Sequence, residues 1–243
     1  MTDRTILAVT GSDRVKFLHG LTTNDLRTPT DGIAYAALLT PQGKYLADFF
    51  MIGQADRILI DVATPLAAGL VQRLTMYRLR ADVQITATDL QVKRGTGDAP
   101  EGALTDPRDA ALGWRLYGAE GGDDGTDWAA LRIERLVPET GVELGPDSYI
   151  LEQGFDRLNG VDFKKGCYVG QEVTARMKHK TELKKGLVRV LVDGVAEAGT
   201  PIMAGDKEAG VLHTVSGGKG IAYLRFDRAD GEMTAGEAKV TRA

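Results

Sequence analysis

The sequence contains very little metal-binding sulfur or imidazole. Among 243 residues it has one cysteine, Cys167, and three histidines, His19, His179 and His213. A single cysteine cannot form an internal disulfide, and it cannot supply the four thiolates that a self-contained iron–sulfur cluster requires. The histidines lie far apart and no paired-cysteine spacing exists, so the sequence predicts no resident metal site.

Long hydrophobic runs are also missing. The longest apolar stretches, 34–39 and 187–192, are strand-sized and fall far short of the roughly 20 residues needed to span a bilayer. The N-terminal residues Met1 to Arg4 lack the features of a signal peptide. Hydrophobic residues make up 43% and charged residues 26% of the chain, which is ordinary for a globular protein. We therefore expect a soluble cytoplasmic monomer without a membrane partner.

The charge is distributed unevenly. The segment Lys164–Lys185 holds seven Lys and Arg against two acids, a net of +5, which leaves −9 for the rest of a chain whose total is −4. Local positive charge on an acidic protein suggests attraction of a small anion or an acidic partner. The alternative is a solvated loop. No array of aromatic residues accompanies this segment, so we expect no direct contact with nucleic acid.

Hydrophobic periodicity predicts an α+β body at 1–182 and a small all-β module at 183–243. Thr64 is expected to be the N-cap of a helix with Pro65 at its first position. The glycine-rich, polar stretch 118–125 is expected to be a mobile loop. Predicted strands lie at 5–9, 34–39, 45–52, 58–62, 83–87, 90–94, 187–192, 208–215, 220–226 and 237–241, and predicted helices follow Asp13 and cover 64–76 and 127–136.

Chemically active residues are densest in Lys164–Arg176, where a thiol, two glycines, an amide, a carboxylate and three cations occupy thirteen positions. Glycines on both sides of Cys167 let the backbone approach a ligand closely, while Lys164 and Lys165 would favour the thiolate. A helix after this segment would strengthen that bias. The alternative is a buried, inert cysteine. On residues alone, both interpretations stay open.

A cysteine–histidine hydrolase would need one of the three histidines as its base. His19 adjoins the apolar face of a predicted helix and His213 lies within an alternating strand, so both are expected to be structural. His179 stands in a Lys-His-Lys run and is expected to be a solvated surface residue. No local motif supports hydrolysis. The glycine pairs do not follow dinucleotide-binding or P-loop patterns.

A resemblance gives the cysteine segment a more specific interpretation. Residues 165–172, which read Lys-Gly-Cys-Tyr-Val-Gly-Gln-Glu, followed by Arg176, resemble the motif of the YgfZ family of folate-binding proteins. The motif residues are Lys165, Gly166, Cys167, Tyr168, Gly170, Gln171, Glu172 and Arg176. Supporting segments, in the family's order, are 17–25, 41–44 with Asp48, 106–108, and Trp128 through 138–139.

The resemblance implies a fold related to the T-protein of glycine cleavage. Such a fold has two intertwined α/β modules in a ring, tetrahydrofolate at the centre and a small C-terminal β-barrel. The family is implicated in assembling or repairing iron–sulfur proteins, including enzymes of tRNA modification, and mitochondrial relatives serve cluster assembly. Cys167 is then the candidate functional thiol, and iron–sulfur proteins or their assembly machinery are the expected partners.

The resemblance also implies folate-binding residues. Trp128 matches a tryptophan beside the folate, and its indole suits stacking on a pterin or benzoyl ring. Lys165 could pair with a folate carboxylate. Glu134, or alternatively Glu143, would accept hydrogen bonds from the amino edge of the pterin. Arg4 stands where some relatives place another tryptophan, and it could meet an anionic ligand instead.

One departure bears on catalysis. The T-protein has its catalytic acid in the helix after the strand that corresponds to 58–62, and residues 64–70 contain no acid. General acid–base catalysis is typically worth about 10²–10⁴-fold. We therefore expect an accessory factor rather than a classical aminomethyltransferase. A folate-dependent one-carbon transferase and a factor linked to tRNA modification are the alternatives.

Overall fold

The computed structural model describes residues 3–26, 32–180 and 182–243, and for Lys180 the backbone alone. Met1 and Thr2 of the N-terminal prediction and Thr181 of the basic segment lie outside the described residues. The chain divides into two compact units. The first unit comprises Met1–Thr126 and Phe155–Ala175, and the second comprises Asp127–Gly154 and Arg176–Ala243.

The first unit is built on an antiparallel sheet with two helices packed against it. Its strands are β1 (Arg4–Thr10), β2 (Ile33–Leu39), β3 (Tyr45–Gly53), β4 (Ile58–Ala63) and β5 (Gln84–Ala87), and its helices are α1 (Arg14–His19) and α2 (Thr64–Arg78). The strand order is β2-β3-β4-β1-β5. Every residue of β4 is buried. Leu18 of α1 and Leu70 and Leu74 of α2 join the strand side chains in one core.

Helix α2 differs from its prediction by one position. Ala63 occupies the cap position and makes no side-chain cap, so Thr64 is already helical. The hydroxyl of Thr64 lies 2.9 Å from the hydroxyl of Thr5 on β1. Because this side chain is directed to the neighbouring strand, the expectation that Thr64 is the N-cap is wrong.

A smaller sheet completes the first unit. It contains β6 (Gln91–Gly95), β7 (Leu104–Thr105), β8 (Trp114–Gly118) and β9 (Gly122–Asp123), in the order β7-β8-β6-β9, with a 3₁₀ turn at Ala110–Leu112. The stretch 118–125, predicted to be a mobile loop, therefore includes the last residue of β8 and both residues of β9, while its mobility stays a prediction. Strand β9 pairs in parallel with β6. Asp124 Oδ2 then accepts a hydrogen bond from the Thr96 backbone at 2.8 Å, so this polar stretch is ordered by hydrogen bonds instead of by apolar burial.

The second unit contains the predicted C-terminal β-barrel, which is confirmed. Its six strands are β10 (Lys185–Asp193), β11 (Pro201–Ala204), β12 (Lys207–Ser216), β13 (Lys219–Arg225), β14 (Met233–Ala235) and β15 (Ala238–Arg242), and they close in the order β10-β13-β12-β11-β14-β15. The barrel has its own apolar core. The prediction omitted β11 and β14 because each has only three or four residues.

The second unit also holds a segment that the predicted boundary at 182/183 assigned to the body. Helix α3 (Trp128–Arg135) places Ile133 against Leu187 and Ile221 of the barrel. Glu143 Oε1 accepts a hydrogen bond from Thr214 Oγ1 at 2.5 Å. These contacts explain why 127–154 groups with the barrel.

Helix α4 (Gln171–Lys180) directly follows the cysteine segment. The helix that would favour the thiolate is therefore present, and it begins four residues after Cys167. Within the described ranges, no helix has the length and apolarity needed to cross a membrane.

Candidate functional site around Cys167

Cys167 lies in a loop that precedes α4, and the residue is exposed. The expectation of a buried inert cysteine therefore does not describe this residue. The residues around the thiol are held much more firmly than the thiol itself, because several of them contact α1 and the hairpin formed by β2 and β3.

Lys165 anchors the segment to the end of α1. Its Nζ donates hydrogen bonds to the backbone carbonyls of His19 at 2.8 Å, Thr22 at 2.5 Å and Asn24 at 3.2 Å. Carbonyls at the end of a helix have no intrahelical partner, and an ammonium supplies three donors. Burial lowers the pKa of Lys165 to about 8. All three of its donors are already used within the protein.

Gly166 lies against the His19 ring. A Cβ built on Gly166 would be 3.1 Å from His19 Nε2, closer than most Cβ contacts. The other ring nitrogen, Nδ1, lies 2.7 Å from Asp25 Oδ2. This carboxylate orients the imidazole, so that Nε2 faces the backbone next to Cys167. From the sequence alone His19 was expected to be structural, and its pairing with Asp25 was not expected.

Tyr168 and Gly170 hold the backbone on the C-terminal side of Cys167. Tyr168 is buried, and burial raises its pKa. Gly170 has a φ of +84°, and a Cβ there would lie 2.6 Å from the Thr40 carbonyl in the β2–β3 turn. Only glycine meets both conditions without distortion. The motif therefore packs against the hairpin at Gly170, and Val173 of the following helix lies beside Gly43 of the same turn.

The remaining motif residues lie on α4. Gln171 is the first helical residue, and its amide nitrogen lies 3.5 Å from the Gly166 carbonyl. Glu172 lies in the first turn, where its negative charge stabilises the N-terminus of the helix. Glu172 and Arg176 are both exposed. Their roles stay predictions.

A second group of polar residues surrounds Asp61 on β4. Asp61 is fully buried, and its Oδ1 accepts from Arg4 Nε at 2.6 Å. Its Oδ2 accepts from Arg115 Nη2 at 2.6 Å and from the Tyr117 hydroxyl at 2.9 Å. Burial opposes ionisation of Asp61, but the two guanidinium groups outweigh it and lower the pKa to about 2. Asp61 is therefore a carboxylate at neutral pH.

Arg4 and Arg115 also border a cavity of about 250 Å³ in the first unit. Arg94 of β6 is the third guanidinium in its wall. An anionic ligand was expected at Arg4 from the sequence, whereas no role was expected for Arg94, Arg115 or Asp61. An aspartate inside an otherwise apolar strand was the available sign of a buried ion pair.

The second unit carries the other folate candidates. Trp128 is the first residue of α3, where Asp127 accepts a hydrogen bond from the Ala130 backbone at 3.0 Å, and the indole is partly buried. Glu134 is exposed and pairs with Arg189 at 3.2 Å and Lys219 at 3.7 Å.

Glu143, the alternative acid, is buried and is hydrogen-bonded to Arg132, Thr214 and the Glu139 backbone. Both acids thus have internal partners. The structure brings together the motif residues 165–171, whereas the folate candidates are divided between the units.

The other two histidines show no sign of catalysis. His213 lies in β12, where burial lowers its pKa, and His179 is exposed on α4. Within the part of the chain that the structure describes, no group of three or more His, Cys, Asp or Glu side chains is placed to hold a metal ion.

The sheet, the helices and the barrel define the class of fold. A solved structure of the glycine cleavage system aminomethyltransferase T from Bartonella henselae matches with a TM-score of 0.76, covering 99% of this chain and 82% of that chain. The sequence identity is 14%, so this likeness shows the fold alone. The predicted T-protein-like fold is confirmed. A family model described as the C-terminal β-barrel domain of CAF17 matches residues 184–243.

Curated relatives identify the family. The mitochondrial iron–sulfur cluster assembly factor IBA57 of Homo sapiens is 30% identical over 95% of this chain and 78% of its own length. The IBA57 homolog of Mycosarcoma maydis is 33% identical over 76% of this chain. The chain spans 54% of that relative's length. The chain belongs to the IBA57 family of iron–sulfur cluster assembly factors.

These relatives correct one expectation and leave others untested. They are mitochondrial proteins, which contradicts the cytoplasmic location expected from the sequence. The expected connection to iron–sulfur assembly is confirmed at the level of the family. The narrower YgfZ assignment, folate binding and the link to tRNA modification stay predictions.

Proposed function

We propose that this chain is an iron–sulfur assembly factor that binds tetrahydrofolate and presents the Cys167 thiol to a partner protein. The observation that carries the proposal is the contrast between an exposed thiol and its fixed surroundings. Lys165, Gly166 and Gly170 each hold the backbone in place, yet Cys167 stays exposed. An inert structural cysteine would be buried.

An exposed thiol on a fixed backbone support suits transfer between proteins. A rigid support limits the conformational entropy lost when a partner binds. One cysteine can supply only part of the ligand set of a cluster. A cluster handled at Cys167 would therefore be cargo, held jointly by this thiol and by ligands of the partner. The basic residues 164–185 would favour an acidic partner surface.

The folate part of the proposal is supported by the chemistry of the candidate residues. The cavity at Arg4 has three guanidinium groups, which suit the carboxylates of the glutamate end of folate. Trp128 keeps part of its indole exposed, which suits a flat ring. Lys165 suits folate least, because its three donors already bind carbonyls. When bound, tetrahydrofolate would supply a reduced pterin and anionic carboxylates.

A one-carbon transferase is the second candidate, and the fold of a related aminomethyltransferase is the observation in its favour. Helix α2, Thr64–Arg78, contains no acid. Asp61, three residues before the helix, is ionised and already bound by Arg4, Arg115 and Tyr117. It has no proton to give at neutral pH, so accessory binding is better supported than transfer.

Complementation tests the role of the thiol. In cells that lack this protein, Cys167→Ala should fail to restore iron–sulfur enzyme activity, while its thermal unfolding matches the parent because the side chain is exposed. Met76→Ala is the control, since Met76 also carries an exposed sulfur, on α2. Full restoration by Cys167→Ala would remove the thiol from the proposed function.

Calorimetric titration with tetrahydrofolate tests the folate part separately. Trp128→Ala should weaken binding by about tenfold through loss of stacking, whereas Trp128→Phe should retain most of the affinity because an aromatic face remains. Equal affinities for the parent and Trp128→Ala would exclude the stacking role. Neither result depends on Cys167.

A further inference from the structure

The cavity in the first unit is lined by three arginines that come from three different strands. Arg4 belongs to β1, Arg94 to β6 and Arg115 to β8. The exposed fractions of the three side chains are only 15%, 7% and 3%. Three arginine side chains that are largely removed from water thus line one small space.

The charges at the floor of the cavity are only partly compensated. Arg4 and Arg115 share the single carboxylate of Asp61. The other carboxylate near Arg115 is Asp106, whose Oδ2 is 3.7 Å away and forms its shorter contact, 2.8 Å, with Arg108. One positive charge therefore remains in excess beside Asp61.

Two acids at the rim limit which anions can bind. Asp123 Oδ2 is 3.8 Å from Arg94 Nη2, and its side chain is 39% exposed. Asp3 lines the same cavity and is exposed. Two like charges at the entrance repel a compact dianion such as phosphate more strongly than they repel an acid whose two charges lie on separate carboxylates.

The guanidinium groups are held in place before any ligand arrives. Arg4 donates to the Asp61 side chain and to its backbone carbonyl, and Arg115 donates to Asp61 and Tyr117. Fixed donors lose little entropy on binding, and guanidinium matches the planar geometry of a carboxylate. Asp61 itself shows that the Arg4–Arg115 pair accepts a carboxylate.

We propose that this cavity is a binding site for the carboxylate of a small organic acid. A volume of about 250 Å³ lies just below the usual range of ligand pockets, roughly 300–1,000 Å³, which suits a short acid or one end of a longer ligand. The glutamate end of folate and a free dicarboxylic acid are the two possible sources. The folate source rests on the proposed function, whereas the free acid does not.

Gln91 provides the most direct test, because it lines the cavity but is exposed. The full chain is titrated calorimetrically with glutarate and with p-aminobenzoyl-glutamate. Gln91→Glu should weaken binding of both probes and Gln91→Lys should strengthen it, since only the charge at the rim changes. Arg94→Gln should weaken binding by about tenfold or more through loss of a charge-assisted hydrogen bond. Arg73→Gln, an exposed arginine on α2, should change nothing.

The outcomes separate the two sources and can overturn the site. Tighter binding of p-aminobenzoyl-glutamate than of glutarate assigns the cavity to the folate tail, and equal binding assigns it to a free acid. Failure of tetrahydrofolate to bind while glutarate binds would refute the folate proposal and leave the site intact. Three results would overturn the proposed carboxylate site. They are the absence of saturable binding of both probes, tighter binding of inorganic phosphate than of the probes, and affinities that are unchanged by both Gln91 substitutions.

Discussion

At the scale of single residues, Asp61 is a buried charge that depends on several hydrogen-bond partners. Its carboxylate is fully buried and accepts hydrogen bonds from two arginines and a tyrosine. Removing one partner of a buried ion pair costs about 3–5 kcal/mol, because the remaining charge stays uncompensated. Asp61 therefore contributes to stability in a way that no surface aspartate does.

Asp61→Asn should lower the free energy of unfolding by about 3–5 kcal/mol near neutral pH. The pH dependence has a definite sign, because the folded pKa of about 2 lies below the ordinary value of 3.8. As pH falls below that ordinary value, the unfolded state takes up the proton first and the contribution of Asp61 declines. Asp61→Asn should therefore flatten the loss of stability in acid.

Urea unfolding at neutral and acidic pH measures both effects. Asp56→Asn is the matched control, since Asp56 is exposed and forms a surface ion pair with Arg57 at a distance of 3.9 Å. An exposed ion pair contributes about 0–1 kcal/mol to stability. A neutral-pH loss no larger than that of Asp56→Asn would show that the buried network is dispensable.

At the level of elements, the packing of the cysteine segment on the β2–β3 hairpin depends on a glycine. Gly170→Ala would place a Cβ 2.6 Å from the Thr40 carbonyl at a φ of +84°. We expect a loss of about 2 kcal/mol or more in the free energy of unfolding, because both the clash and the backbone strain must be relieved.

Gly69→Ala is the informative counterpart of Gly170→Ala. Gly69 lies inside α2, and a Cβ there would meet no atom within 4 Å. The alanine should stabilise the helix by about 0.5–1 kcal/mol. Chemical denaturation of the two variants should give opposite signs. Equal changes would mean that the Gly170–Thr40 contact does not constrain the segment.

The elements also show what sequence patterns can and cannot predict. Strands such as β3 and β4 are apolar apart from one aspartate in each, so their positions followed directly from hydrophobicity. Strand β9 has no apolar residue, and Asp124 and backbone pairing order it. Patterns along the chain do not register such hydrogen bonds between distant residues. Short strands such as β11 and β14 fall below the length at which alternation is visible.

The candidate site also contains residues that the sequence pattern predicts and residues that it does not. Cys167 and its glycines were recognisable because an unusual set of residue types is contiguous in sequence. The Arg4–Asp61–Arg115 network was not, because its members are separated by more than fifty residues and come from strands of two different sheets. The ammonium of Lys165 was expected at a ligand, but three backbone carbonyls bind it. The type of a residue therefore predicts which interactions it can make better than it predicts which groups of the protein it contacts.

At the level of the whole molecule, the compact units follow contacts rather than chain order. Residues 127–154 come before the cysteine segment in sequence but belong with the barrel. The Tyr223 hydroxyl donates to Glu152 Oε2 at 2.5 Å, and the Leu187 backbone donates to the Glu152 carbonyl at 2.9 Å. A boundary placed where the strand pattern begins cannot include such a preceding segment.

The attachment of Lys165 to the end of α1 has a consequence for synthesis. The bonds from Lys165 Nζ join positions 141 to 146 residues apart. The sheet β2-β3-β4-β1-β5 is encoded before residue 90, so its strands leave the ribosome well before the cysteine segment does. Cys167 is therefore mounted on a scaffold whose strands have already been made. A nascent chain arrested before residue 155 would contain those strands but no cysteine thiol.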